Sequence, residues 1–555
     1  MTTPNPNFFP ATAANPHLTE AQTAKLMSYG SPQDVERGDV IFRVGDTSYD
    51  LVLIERGAVD IYREATNDSE ALIVAHHESG RFLGELNLLT GQTVFLTARV
   101  SEAGRVHRIT PDRFRRLMAE DAELSDILLR SFWARRELLR ESAANSMEIL
   151  GSTLSSGSLA LRTYASRLQL PHVWFDADSV AGVALMRTSS LTVDDLPAVL
   201  LPDTVLTQAT PGTLAQHLGL TFRSQGGETV DLTVIGGGPA GLAAAVYGAS
   251  EGLSTIMLDA IGPGGQAAAS SRIENYLGFP NGISGADLTG RAAVQALKFG
   301  AQLFSPCEVV ELDATCDRLR IVLDDGTDIS TRAVVIATGA RYRSLPLERW
   351  HEFEGAGIYY AATELEARAC AASPVTVIGG ANSAGQAALF MASRGNRVTL
   401  VIRGADISAG MSFYLVDRLL ADPRVTVHTS TEVTDLQGET SLSAITLSNR
   451  ATGEHIDDEC RGLFCFIGAE PATGWASGVA VDEDGFIRTD SQLTEDDLGQ
   501  TWNVLGRGPL PFETNVPGVF AVGDVRHGSM KRVAAAVGEG ASAVASVHVA
   551  IGVQA

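Results

Sequence analysis

Between about Asp34 and Ile109, short apolar and β-branched runs alternate with glycines: VIFRVGD, LVLIERGAVDIY, ALIVAHH and VFLTARV. Runs of this length and spacing predict a small antiparallel barrel or jelly roll. The period then changes. In PDRFRRLMAEDAELSDILLRSFWARRELL, Phe114, Leu117, Leu124, Ile127 and Leu128 recur at three- and four-residue intervals. That spacing predicts a long helix with one apolar face, on which Phe132 and Trp133 read as core or interdomain packing. From about Met147 to Leu220 comes the loop GSTLSSGS, then a helix, a strand at HVWFDAD, another helix, a strand in DDLPAVLLP and a last helix at TLAQHLGL. Such alternation predicts a small α/β unit. SQGGET, residues 224–229, reads as a linker. From Val230 onward the pattern contains two separate strand–glycine loop–helix units, with no solenoid repeat and no low-complexity tract. The fold class is therefore multidomain α/β behind an N-terminal β unit.

Composition narrows the partners. A chain of 555 residues suggests roughly three or four domains. The formal net charge of −24 argues against nucleic acid or an anionic membrane as main partner, because both need a basic surface. No apolar run approaches the roughly 20 residues that span a bilayer. The N-terminus lacks a basic, apolar leader pattern and reads as a tail, so the expected location is cytoplasmic. The five cysteines, Cys307, Cys316, Cys370, Cys460 and Cys465, include no C-x-x-C and read as buried structural thiols. No metal site is read from the sequence.

The chemistry lies in the two glycine units. In VDLTVIGGGPAGLAAAVYGASEGLSTIMLDA, Gly236, Gly238 and Gly241 have G-x-G-x-x-G spacing between a strand and an Ala-rich helix that includes Pro239 and Ala240, and Asp259 ends the next strand. The first glycine permits the tight turn. The second lets backbone approach a pyrophosphate at the helix N-terminus, and the third lets helix and strand pack closely; the acid suits a ribose hydroxyl. In SPVTVIGGANSAGQAALFMASRGNRVTLVIRG, the same three positions are Gly379, Ala381 and Ala384, with Gly380, Asn382 and Ser383 in the turn. Ala381 narrows the approach to a pyrophosphate. Arg403, where an acid would end the next strand, can pair with the 2′-phosphate of NADPH, so NADPH is favoured and NADH is possible. Two dinucleotide units point to a flavin reduced by a nicotinamide.

The region from Val230 resembles the low-molecular-weight thioredoxin reductases. The motifs follow in order: GGGPAG, GPGGQ, IENYLGFPNGISG, Ala337-Thr338-Gly339, GLFCFIGAEPAT, GVFAVGDV and KRVAAAVGEGA. The resemblance implies an FAD domain in two parts, 228–342 and 466–555, around an NAD(P)H domain at 343–465, assembled as a homodimer. It implies FAD contacts at Gly265, Gln266, Asn275, Thr338, Gly339, Gly523 and Asp524. Lys531, Arg532 and Val533 replace the family's Arg-Gln-Ala at the flavin ring, and the added charge suits an anionic reduced flavin. It also implies that the NAD(P)H domain rotates about hinges near Ala340–Tyr342 and Phe466–Gly468. The family's C-A-T-C falls on Ala361-Ala362-Thr363-Glu364, so Ala361 and Glu364 replace both cysteines. Neither can form a mixed disulfide. Electrons must then leave the flavin for an unidentified acceptor, with oxygen, a quinone, a ferredoxin or a partner disulfide as candidates. Glu364 is open as a general acid or a space-filling residue, and His527 as a proton donor or a loop histidine.

Residues 20–140 resemble a cyclic-nucleotide-binding domain, through Gly38-Asp39, Gly45-Asp46, Gly57 and Phe82-Leu83-Gly84-Glu85-Leu86. The resemblance makes Gly84 and Glu85 candidate contacts for a nucleotide-like ligand, but Val94 or Phe95 stands where the family's phosphate-binding arginine lies, with Arg99 nearby. Residues 146–222 resemble a glutaredoxin- or thioredoxin-like unit, with Leu196-Pro197 like its cis-proline and Leu154-Ser155-Ser156-Gly157-Ser158 where its cysteines would fall. This unit is expected to dock rather than exchange disulfides. The leading reading is an FAD-dependent NAD(P)H oxidoreductase with an N-terminal regulatory module. The alternatives are a thioredoxin-disulfide reductase using a non-standard cysteine or partner thiols, and a non-catalytic redox or ligand sensor.

Overall fold

The computed structural model describes residues 11–46, 48–63, 72–141, 147–201, 204–222, 229–270, 273, 275–314 and 318–552. Cys316 and all of the expected linker except Thr229 lie outside them.

The N-terminal strands form one antiparallel sheet in the order Ser31–Val35, Thr97–Ile109, Leu51–Arg63, Leu72–Glu78, with Val40–Phe42 and Phe82–Leu83 paired at its flanks. The long amphipathic stretch is two helices, Pro111–Glu120 and Ala122–Glu141. The break falls at Asp121, whose carboxylate accepts from the Leu124 N–H at 3.1 Å and pairs with Lys25 at 2.6 Å. An aspartate at the start of a new helix satisfies a backbone donor that the first helix cannot. Apolar periodicity runs through such a break without registering it. Phe114, Leu117, Leu124, Leu128 and Phe132 are all buried.

The next segment has a four-stranded sheet, Val205–Leu206, Ala198–Leu200, Glu148–Gly151, Val173–Asp176, in which only the last pair is parallel. The expected strands and helices are present. Glu148–Gly151 is a further strand that the sequence reading left unassigned apart from Gly151, which it placed at the start of the loop, because four residues ending in glycine show no clear alternation. The Leu196–Pro197 peptide is cis.

The sheet that begins at Thr229 runs Gln302–Phe304, Thr255–Leu258, Thr229–Ile235, Asp328–Ile336. Leu319–Leu323 pairs antiparallel with the first half of Asp328–Ile336, and Val519–Ala521 pairs parallel with its last residues. A strand from near the C-terminus thus returns to a sheet started almost three hundred positions earlier. Between them lies an all-parallel sheet, Ile358–Tyr359, Gly462–Cys465, Val375–Ile378, Val398–Val401, Val425–His428, with a three-stranded antiparallel sheet beside it. The chain crosses between the two large sheets through Ala340–Tyr342 and Ala469–Pro471, which pair antiparallel as one ribbon.

The helix Ser156–Arg167 touches the parts of the chain on either side of that ribbon. Near its start, Ser156 Cα is 3.0 Å from where a Cβ on Gly355 would sit, and Leu159 packs on the cluster around Val375, Met391 and Phe464. Further along, the Tyr164 hydroxyl donates to Ser305 O at 2.9 Å. Trp133, as expected of interdomain packing, lies 3.8 Å from the Cβ position of Gly290.

Helix Val533–Ile551 is, among the described residues, long and apolar enough to cross a membrane, which the expectation of no such run overlooked. Ala536, Gly540, Ala543, Val544 and Val547 of this helix are buried against the core built on Leu232, Leu242 and Phe520. Gly540 is where it meets Pro239–Ser250, since a Cβ there would stand 2.1 Å from Ala240 O. Gly540→Ala therefore overpacks a backbone contact and is expected to cost about 1–3 kcal/mol. The check is the urea midpoint of the apoprotein; a midpoint equal to wild type contradicts the close approach.

Candidate functional site

Around the first glycine turn, backbone meets backbone. Gly236 has φ of 106°, open only to glycine, and a Cβ on it would lie 2.3 Å from Ala337 O. A Cβ on Gly241 would lie 1.8 Å from Gly236 O, so the helix Pro239–Ser250 can start this close to the strand only with glycine there. Gly238 is different. It caps that helix in an extended conformation, and the nearest atom to its Cβ position is 4.0 Å away. The fold does not require glycine at 238, but an anion arriving at the helix N-terminus would. The residues present fit a dinucleotide pyrophosphate at this turn.

Asp259 stands beside it. Its Oδ2 accepts from the Gly237 N–H at 2.6 Å, and its Oδ1 accepts from Ile261 and Gly262 N–H at 2.9 and 2.6 Å. The loop carrying Gly264 and Gly265 folds back on the turn: Gly264 N–H donates to Gly237 O at 2.6 Å, and a Cβ on Gly265 would be 2.8 Å from Gly238 Cα. The Gln266 amide donates to Ala340 O in the interdomain ribbon, and the Thr338 hydroxyl to Ala472 O at 2.9 Å. Gly339 has a φ of 66° and Asn275 is exposed.

Gly523 sits against the same helix, 3.0 Å from Ala240 Cβ at its Cβ position, and its N–H donates to Glu539 at 2.7 Å; Glu539 also pairs with Arg526 at 2.7 Å. Burial raises the Asp524 pKa, with Glu539 adding to the effect and Lys531 opposing it. Lys531 Nζ lies 4.4 Å over the Phe486 ring; it and Arg532 are exposed, and Val533 begins the C-terminal helix. His527 is half-exposed and held to Asp482 at 2.5 Å.

The second turn repeats the plan. Gly379 has a Cβ position 2.4 Å from Phe466 O, and Ala381 caps the helix Asn382–Ser393. Asn382 Oδ1 accepts from Ser412 N–H at 2.7 Å, Gly380 backs onto Ile402, Ala384 is buried, and Ser383 and Arg403 are exposed. Just upstream, Tyr360 stacks on Tyr342 of the ribbon, ring centroids 5.6 Å apart and planes 3° from parallel. The Tyr360 hydroxyl is tied to Trp350 and Glu354. Ala361 is half-buried, and Glu364 forms a surface ion pair with Arg394. Neither side chain is a thiol. The described cysteines are all buried and free. Burial pushes the Cys370 and Cys465 thiols up to about 12 and those of Cys307 and Cys460 to about 11.

The barrel's polar cluster centres on a residue that sequence reading did not select. Arg136, fully buried on helix Ala122–Glu141, donates to both oxygens of Glu85, to Asn87, to Gln92 at 3.2 Å and to Gln169 O at 3.2 Å. Tyr49 accepts from the Glu85 N–H at 3.1 Å, and a Cβ on Gly84 would strike Leu51. Val94 is buried, the Phe95 ring lies 5.4 Å from the Arg136 guanidinium, and Arg99 points outward over Tyr62. A glutamate committed to an arginine this far away in sequence leaves no local pattern.

The fold and the paired turns define a two-dinucleotide-domain oxidoreductase. Residues 230–540, more than half the chain, match the pyridine nucleotide-disulphide oxidoreductase family, and residues 32–121 match the cyclic nucleotide-binding domain. The chain belongs to the pyridine nucleotide-disulphide oxidoreductases, and its relatives within them are thioredoxin reductases. That of Streptomyces clavuligerus is 32% identical over 56% of this chain and 91% of its own length; that of Peptoclostridium litorale is 31% identical over 56% and 94%. The crystal structure of T. acidophilum thioredoxin reductase superposes with a TM-score of 0.51 at 29% identity, covering 58% of this chain and 99% of that one. The protein is thus an NAD(P)H-dependent flavoprotein oxidoreductase with FAD and NADPH as cofactors.

Gly238→Ala separates ligand from fold. It is expected to leave apoprotein melting unchanged and to weaken FAD binding by about tenfold, or 1.4 kcal/mol, read by recovery of flavin fluorescence. Equal affinity would place the pyrophosphate elsewhere.

Proposed function

We propose that this chain passes electrons from NADPH to an acceptor outside itself without using an internal dithiol. What supports the reading is the pairing of two cofactor turns with Ala361 and Glu364 at the place where the resembling family carries its cysteines. FAD, when bound, supplies the hydride-accepting chemistry. The chain's own residues supply the rest. Gly236, Gly238 and Gly241 shape the pyrophosphate seat, with Asp259 beside it and Asp524 at the ribityl side. Gly379, Gly380, Asn382, Ser383 and Ala384 shape the nicotinamide dinucleotide's seat, and Arg403 is a free cation beside its 2′-phosphate. Lys531 and Arg532 place positive charge near the ring, and burial raises the pKa of Asp524. Rotation of the 343–465 part about the paired ribbon would alternate the partners at the ring.

The reading with a substitute cysteine asks for a thiolate. Cys370 is buried, its thiol donates to Arg461 O, and its pKa near 12 keeps it protonated at neutral pH. In the barrel, Arg136 donates to both Glu85 oxygens, so a ligand's hydroxyl would have to compete with it for that carboxylate.

The decisive assay mixes purified holoprotein with NADPH or NADH and follows flavin bleaching, then turnover with oxygen, quinone, ferredoxin and oxidised thioredoxin. Bleaching by NADPH and turnover with a non-disulfide acceptor, both unchanged in Cys370→Ser, is the expected result. Thioredoxin reduction that disappears in Cys370→Ser would overturn it. Saturating cAMP or cGMP is expected to leave both the melting temperature and the bleaching rate unchanged; a stabilising shift would contradict the self-occupied barrel.

A further inference from the structure

Arg167 closes the helix Ser156–Arg167 of the middle segment and reaches across to the flavoprotein half. Its Nη1 donates to Gly262 O and its Nη2 to Gly265 O, each at 3.2 Å. These carbonyls belong to the loop whose other face carries the cofactor seat. From that face, Asp259 accepts from Gly237, Ile261 and Gly262 N–H, and Gly264 N–H donates to Gly237 O. The loop is therefore held from two directions: by the glycine turn on the inside and by one guanidinium on the outside. Its conformation needs holding. Gly262, Gly264 and Gly265 have φ of 150°, 115° and 53°, values that leave a glycine chain free to move when nothing pins it. A planar fork with two donors spans two carbonyls in a way an ammonium cannot.

Resting on the reading of this turn as the FAD seat, we infer that Arg167 is a positioning residue for FAD, so that the middle segment completes the cofactor cradle of the flavoprotein half. Arg167 lies outside residues 230–540, the region that matches the family. Burial lowers the Arg167 pKa and the neighbouring Asp259 carboxylate opposes that shift. An arginine keeps its charge regardless, and it sets a cation behind the loop, on the face away from the cofactor seat.

The test uses the full chain, stripped of flavin and titrated with FAD, with fluorescence for affinity and the visible spectrum for ring environment. Arg167→Ala is expected to weaken FAD binding by about tenfold, while apoprotein melting shifts little. Arg167→Lys, reaching one carbonyl at a time, is expected to fall between. Tyr164→Phe removes the neighbouring bond from the same helix to Ser305 O without touching the loop, and is expected to bind FAD as wild type does. FAD affinity in Arg167→Ala equal to wild type overturns the inference. Equal weakening in Tyr164→Phe and Arg167→Ala also overturns it, because the effect would then belong to segment docking. If Arg167→Ala does not fold, Arg167→Lys decides: wild-type affinity and spectrum there count against the positioning role. A wild-type protein that takes up no FAD would instead sink the cofactor reading itself.

Discussion

The flavoprotein half depends on backbone touching backbone around one turn. Gly236 against Ala337 O, Gly241 against Gly236 O and Gly540 against Ala240 O are contacts that any side chain would fill. They draw the strand Thr229–Ile235, the helix Pro239–Ser250 and the C-terminal helix into one layer. At the N-terminus of Pro239–Ser250, the Cβ position of Gly238 has only the Gly265 backbone near it, at 4.0 Å. Close packing and ligand access are thus the same feature seen from two sides: the glycines that admit the helix also bring its first N–H groups within reach of a phosphate.

Around this turn, the segments that precede it act as supports. Helix Ser156–Arg167 touches the nicotinamide-side sheet at one end and the Gly262–Gly265 loop at the other. Arg136 reaches Gln169 O just past that helix while holding Glu85 in the barrel. Barrel, middle segment and flavin loop are therefore joined by charged side chains bonded to backbone carbonyls. In the one ion pair among them, Arg136–Glu85, desolvation offsets much of the attraction.

The parts of this arrangement that sequence could show are the local ones. G-x-G-x-x-G marks the first turn, and the same spacing with Gly379, Ala381 and Ala384 marks the second, because the constraint is steric and confined to a few consecutive residues. The strands and helices were legible wherever period and length agreed. Three features were not. The break at Asp121 was hidden because the apolar stripe continues on both sides of the cap. The strand Glu148–Gly151 is too short to show alternation. Arg136 and Arg167 look like ordinary helix-surface cations, since their partners lie far away in sequence: Glu85 for the first, Gly262 and Gly265 for the second. Asp259 was legible as an acid at a strand end, but of its three backbone donors only Ile261 and Gly262 are its own neighbours, and the third, Gly237, comes from the glycine turn 22 positions earlier.

The central claim is that the flavin is the chain's sole electron store. Anaerobic titration of the holoprotein with NADPH measures that capacity directly. Flavin alone takes up one hydride, whereas a flavin coupled to a redox dithiol takes up two. Complete bleaching at one NADPH per flavin is predicted. Bleaching that lags until a second equivalent has been consumed would show a hidden disulfide and contradict the account.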